Sequence, residues 1–169
     1  MVTIKSKQEI EKMKEACKIA YLAQKAIEEA IKPGISTLEL DKIAENTMRK
    51  YGAIPAEKGY PSGVKGVPPF PGSICSSVND EVIHGLPSKK VILKEGDIIS
   101  IDLVAYKDGF NGDCARTYAV GKIDYYVEDE VISDEMRSIE FGTDHGATGI
   151  QVRVEWIETD LVVQLIANY

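Results

Sequence analysis

The segment GDIISIDLVAYKDGFNGDCARTYAVG, residues 96–121, predicts a two-stranded hairpin around which the rest of the sheet can form. Apolar side chains dominate both halves, and the tripeptide KDG at 107–109 favours a tight turn between them. Two carboxylates interrupt this pattern, Asp102 within the first strand and Asp113 at the start of the second. A buried ionised carboxylate is costly, so each needs a cation, hydrogen-bond donors or a raised pKa.

Two interpretations of this acidic pair are open. Asp102 shares one face of its strand with Ser100 and Val104, and Asp113 joins that face if the hairpin register allows it. A divalent ion would then relieve the repulsion by taking oxygen ligands from both carboxylates. In the second interpretation Arg116 pairs with one carboxylate and a turn amide satisfies the other. Spacing alone does not favour the metal.

Two amphipathic helices are predicted ahead of the hairpin, each opened by a capping box. The first box is Ser6 with Glu9, and the second is Ser36 with Glu39. The chain is therefore predicted to be α+β, with helices packed on an antiparallel sheet. The predicted apolar stripe of the first helix consists of Ile10, Met13, Cys17, Ala20, Ile27 and Ile31.

Between the helices and the hairpin, residues 55–73 hold most of the prolines, which predicts an ordered loop over a pocket. Strands are predicted at 74–78 and 82–84, on either side of the turn-prone pair at 79–80.

Composition excludes several classes of protein. With 169 residues and 44% hydrophobic content, one compact domain is expected. The net charge of −7 argues against binding to nucleic acid or to an anionic membrane. We expect a cytoplasmic protein, since no apolar run resembles a signal peptide or a membrane span. The three cysteines lack CxxC spacing, so they suggest neither a disulfide framework nor a thiolate zinc site.

The composition changes near residue 121. Residues 122–169 contain 11 Asp and Glu against 3 Lys and Arg, so the negative charge is concentrated there. Within them, alternation at 150–156 predicts a strand, and an apolar run follows at 161–166. We interpret 1–121 as a domain and 122–169 as a divergent acidic tail packed on it.

Four segments occur in an order that resembles the bacterial-type (type I) methionine aminopeptidases of the "pita-bread" metallopeptidase superfamily. These are KPGIST at 32–37, SVNDEVIHG at 77–85, GDIISID at 96–102 and GFNGDCARTYAVG at 109–121. The resemblance covers about residues 4–121. It implies the N-terminal half of a pita-bread fold, with two helices on a curved antiparallel sheet.

The resemblance also implies roles for individual residues. Asp102 and Asp113 correspond to metal ligands, in a family that binds up to two divalent ions, of cobalt, manganese, iron or zinc. His84 corresponds to a histidine that hydrogen-bonds the substrate and the developing tetrahedral intermediate. Cys75 and Tyr60 correspond to members of the methionine side-chain pocket. The implied partners are peptides or nascent chains that begin with methionine.

The chain departs from the family after the hairpin. The family's second half supplies a histidine in a GHG-type motif and two glutamates. The counterpart that the resemblance suggests for this histidine is His145 in GTDHGATGI, only 32 residues after Asp113. Glu155 and Glu158 are further carboxylates, but Glu155 falls on the polar side of its predicted strand. With fewer ligands, weak metal binding and little or no catalytic power are expected.

Three functions therefore compete. The first is metal-dependent removal of N-terminal methionine. The second is a non-catalytic half-domain that binds a metal or a peptide and pairs with itself or with a complementary chain, because half of the fold would expose a sheet edge and an apolar face. The third is a compact hydrolase in which the acidic tail supplies replacement ligands.

Overall fold

The computed structural model describes residues 4–123 in full, together with the backbone of 151–157 and 160–166. Its contacts divide the chain into two units, Met1–Ile123 and Asp124–Tyr169. The helices and strands are α1 (Lys7–Ala30), α2 (Thr37–Lys50), β1 (Ile54–Pro55), β2 (Cys75–Val78), β3 (Ile98–Lys107), β4 (Phe110–Ala119), β5 (Gln151–Ile157) and β6 (Asp160–Ile166). The α+β prediction is confirmed.

Strands β3 and β4 form the predicted hairpin. They pair antiparallel along their whole length, with Lys107 opposite Phe110 next to the turn. Asp108 and Gly109 make the turn with φ values of 50° and 89°. Positive φ at both central residues is typical of a type I′ turn, whose twist matches that of the strands it joins. The tripeptide at 107–109 therefore fixes the hairpin register.

Two short strands share the other edge of β3. Strand β2 places Cys75 opposite Asp102, and β1 places Pro55 opposite Ala105. Residues 103–104 of β3 lie between these two paired segments. We call this interval the edge gap.

The sheet has one buried face and one open face. On β3, Ile99, Ile101, Leu103 and Ala105 are fully buried. The intervening residues, including Asp102 and Tyr106, are half-buried or exposed, and they define the open face. The buried core beneath the sheet is formed with the helices by Ile19, Ala20, Ala23, Ile27, Leu40, Ala44 and Met48.

Both helices begin at the predicted capping boxes, but the predicted stripe of α1 is partly wrong. Ile10 is 41% exposed and Cys17 is also exposed, whereas Ala16 and Ile19 are buried. The cause is the close approach of α1 to β4. A Cβ added at Gly112 would overlap the backbone of Ala16, so the helix packs on Ala16 rather than on its larger neighbours.

The segment after β2 is not the predicted second strand. Residues 82–84 are irregular, and His84 has a φ of 57°. Only one side of the turn at 79–80 is therefore a strand.

The end of the loop before β2 is held by Asp41 of α2. This carboxylate accepts hydrogen bonds from the amides of Ser73 (2.5 Å) and Ile74 (3.2 Å).

The second unit contains β5 and β6, which pair antiparallel. The strand predicted at 150–156 is therefore confirmed. His145 and Glu158 lie outside the described residues, and the side chain of Glu155 is not among those described. Across the described helices, none is long and apolar enough to span a membrane.

Candidate metal centre

The hairpin register places Asp102 and Asp113 on the open face. Asp102 lies opposite Ala115, and Asp113 lies opposite Val104, so the two carboxylates are diagonal neighbours. Arg116 lies opposite Ile101, on the buried face, with its guanidinium 5.6 Å from the centre of the Tyr118 ring. The register therefore separates Arg116 from the acidic pair.

The surroundings of Asp102 and Asp113 disfavour the ionised form of both carboxyl groups. Burial raises the pKa of Asp102, and the nearby charge of Asp113 raises it further, while His84 acts in the opposite direction. Asp113 is exposed, yet partial desolvation by the surrounding protein also raises its pKa. Ionising both carboxylates without a counter-ion is unfavourable, and a divalent ion would remove that penalty.

Cys75 of β2 lies directly opposite Asp102 on the neighbouring strand β3. Its side chain is buried, and burial raises the pKa of the thiol to about 11, with smaller contributions from the charges of Asp102 and Glu57. The thiol is therefore neutral at physiological pH. A neutral, buried thiol behaves as a small, polarizable apolar group and not as a nucleophile or a thiolate ligand.

His84 is held beside β2 by backbone contacts. The amide of Ser76 donates to the carbonyl of Gly85 (2.9 Å), and the amide of Gly85 donates to Ser77 Oγ (3.2 Å). A Cβ at Gly85 would overlap the Ser76 carbonyl, so glycine is required for this approach. His84 itself is exposed, and its charge lowers the pKa of Asp102, which places the imidazole near the acidic pair.

Glu57 is a carboxylate that the sequence analysis missed. It follows β1 at the edge gap, where the amide of Ala56 donates to the carbonyl of Val104 (2.9 Å). Burial raises the pKa of Glu57 to about 7, and the charges of Asp102 and Asp113 add to the effect. The sequence of the PAEKGY segment did not predict that Glu57 is partly buried, because an acidic residue in a proline-rich loop is expected to be solvated.

Tyr60 and His145 remain predictions. Tyr60 is 68% exposed, and its backbone binds Glu57 and Phe70 across the loop. His145 lies outside the described residues.

Within the residues that the structure describes, no group of three His, Cys, Asp or Glu side chains is arranged to hold a metal ion. The described part of the candidate site therefore offers two carboxylates, those of Asp102 and Asp113.

A helical layer on an antiparallel sheet with an acidic pair on the open face defines half of a pita-bread metallopeptidase fold. Residues 11–163 match the profile of metallopeptidase family M24, and the chain belongs to this family. The resemblance to bacterial methionine aminopeptidases is thereby confirmed, as is the predicted half of the pita-bread fold.

Comparisons with individual proteins support this family assignment. The methionine aminopeptidase of Clostridium acetobutylicum and methionine aminopeptidase 1 of Bacillus subtilis are each 50% identical over 123 residues, which is 73% of this chain and 46% of theirs. The crystal structure of methionine aminopeptidase from Thermotoga maritima matches with a TM-score of 0.71 and 38% identity, over 78% of this chain and 50% of that one. The chain thus spans about half the length of the curated relatives it matches.

Proposed function

We propose that the chain performs, or retains part of, the metal-dependent removal of N-terminal methionine from peptides and nascent chains. The observation that carries this proposal is the placement of Asp102 and Asp113 on one open sheet face, with no basic side chain between them in the register. The activity of the whole protein is a proposal, because the chain covers only 46% of the length of its curated relatives.

The residues fit a divalent metal ion. Two carboxylates supply oxygen ligands, and partial burial raises the pKa of both, so a bound cation would favour their ionised forms. Oxygen ligands suit manganese and iron as well as cobalt or zinc, so the donor set does not select one metal. When bound, such an ion activates water and polarises the first peptide carbonyl.

The chain's own residues would bind and orient the substrate. We propose that His84 donates a hydrogen bond as negative charge develops on the carbonyl oxygen. Cys75 forms a wall for the methionine side chain, and Tyr60 reaches the same pocket from the loop. His145 is proposed as a further ligand from the second unit. Because the described ligand set is small, we expect weak metal binding and low activity. We expect the protein to act in the cytoplasm.

Hydrolysis of the peptide Met-Ala-Ser with added Mn²⁺ or Co²⁺ tests this function. We expect methionine release that EDTA abolishes and that Asp102→Asn reduces to background. Asp108→Asn is the matched control, because Asp108 lies at the hairpin tip and asparagine tolerates its positive φ. Release that is absent from the wild type, or unaffected by Asp102→Asn, would reject the catalytic proposal.

Exposed apolar residues favour a second candidate function, a half-domain that pairs with itself or with a complementary chain. Ile54 and Tyr106 lie opposite each other at the end of the open face and are 50% and 41% exposed. Apolar side chains at a sheet edge invite association.

A further inference from the structure

Glu57 is a half-buried residue whose carboxyl group the proposed mechanism does not use. Its Oε2 atom is shielded from solvent and has no hydrogen-bond partner among the described residues. The adjacent cation does not satisfy it, because Lys58 Nζ binds Glu45 Oε2 at 2.6 Å. Buried acceptors without a donor are rare and costly, so this oxygen calls for an explanation.

The position of Glu57 points to a ligand. Its carboxyl group lies at the edge gap near the amide of Val104, which opposes the increase in its pKa. The charges of Asp102 and Asp113 raise the pKa of Glu57, and the charge of Glu57 raises the pKa of the Cys75 thiol. Cys75 pairs opposite Asp102 at one end of the edge gap, and Glu57 follows Pro55 of β1 at the other end, so both residues flank this gap.

We propose that Glu57 determines specificity by accepting a hydrogen bond from the side chain of the substrate's first residue. The pocket beside Cys75 then takes first residues that carry a terminal donor, such as glutamine or lysine, in addition to methionine. This inference rests on the proposed function, since it places the side chain of the first residue beside Cys75.

Two observations favour this role over that of a third metal ligand. Glu57 forms no three-residue metal-holding group with the other His, Cys, Asp or Glu side chains that the structure describes. It also follows β1 on the same edge of β3 that β2 occupies, where the neutral Cys75 thiol lies opposite Asp102. A thioether offers Oε2 no donor, whereas an amide or ammonium group does.

Peptide binding to the full chain in excess Mn²⁺, measured by calorimetry, tests the inference without requiring turnover. The probes are Met-Ala-Ser, Gln-Ala-Ser and Lys-Ala-Ser. For Glu57→Leu we expect the ratio of dissociation constants, Gln-Ala-Ser over Met-Ala-Ser, to rise roughly tenfold or more, because the acceptor is lost. Glu29→Leu, an exposed position on α1, should leave the ratio unchanged.

A second variant keeps the test decisive if Glu57→Leu does not fold. Glu57→Gln retains an acceptor but not the charge, so we expect Lys-Ala-Ser to weaken about tenfold relative to Gln-Ala-Ser. Ratios that do not change in folded Glu57 variants, while Asp102→Asn still abolishes binding, would overturn this inference alone. If no peptide binds the wild type, or if Asp102→Asn binds equally well, the proposed function fails and the inference fails with it.

Discussion

At the residue scale, the acidic pair depends on hairpin register. Sequence spacing left two partners open for these carboxylates, a metal ion or Arg116. The register favours the metal interpretation, because it places Arg116 opposite Ile101, on the other face of the sheet from Asp102 and Asp113. A slip by one residue would have reversed the faces, so the answer depends on the turn at 107–109 as much as on the carboxylates.

Glu57 could not be predicted in the same way. Its burial arises because β1 and β2 pair with separate parts of β3 and leave the edge gap between them. That arrangement depends on pairing between residues about 50 positions apart along the chain, which no local pattern encodes.

Glu57→Gln should alter the pH dependence of stability in the metal-free protein. The folded pKa is raised from 4.5 to about 7, so the fold favours the protonated carboxyl group. This contribution is fully present below about pH 4.5 and is lost as the pH rises through 7. At pH 8 we expect Glu57→Gln to have a free energy of unfolding about 1–2 kcal/mol higher than the wild type, because solvent screening reduces the penalty at this half-buried position.

Urea unfolding in EDTA at pH 4.5 and pH 8 measures the difference, with Glu29→Gln as the control. The two proteins should be nearly equally stable at the lower pH. An equal difference at both pH values would show that Glu57 is not shielded as described.

At the element scale, capping boxes and the hairpin were predictable because each depends on residues close together in sequence. The stripe of α1 was predicted less well, since which helical face is buried depends on the partner strand. Gly112 lets Ala16 approach β4 closely, and this leaves Cys17 exposed. The strand predicted at 82–84 was wrong because Gly85 and Ser76 bring the chain back against β2.

Gly112→Ala should destabilise the packing of α1 on the sheet. The added methyl group would overlap the backbone of Ala16, and helix backbone cannot move as a flexible side chain can. We expect a loss of about 1–3 kcal/mol in the free energy of unfolding, measured by urea denaturation. Asn111→Ala, exposed on the same strand, is the control, and equal effects of the two changes would contradict this packing.

At the scale of the whole molecule, the family was predictable from motifs in order, and the comparisons confirm it. The role of residues 122–169 was not predictable, because no family motif was recognised in their acidic sequence, although the family profile extends through residue 163. Their packing on the domain remains a prediction. The exposed apolar residues of the open face are consistent with a chain that spans half the length of its relatives.

Association should depend on the open face. We expect size-exclusion chromatography with light scattering to show a dimer at micromolar concentration, and Ile54→Ser to shift it towards monomer. Tyr21→Ser is the matched control, because Tyr21 is 45% exposed but belongs to α1. A wild-type monomer at all concentrations would argue against self-association, and equal effects of both changes would argue against this face as the interface.

The most direct test of the metal centre is a calorimetric titration of the purified chain with Mn²⁺. We expect saturable binding that is lost, by tenfold or more in affinity, in both Asp102→Asn and Asp113→Asn, because each removes one carboxylate ligand. Asp108→Asn should bind as the wild type does. Binding that survives in both strand variants, or no saturable binding in the wild type, would contradict the assignment of this acidic pair as a metal site.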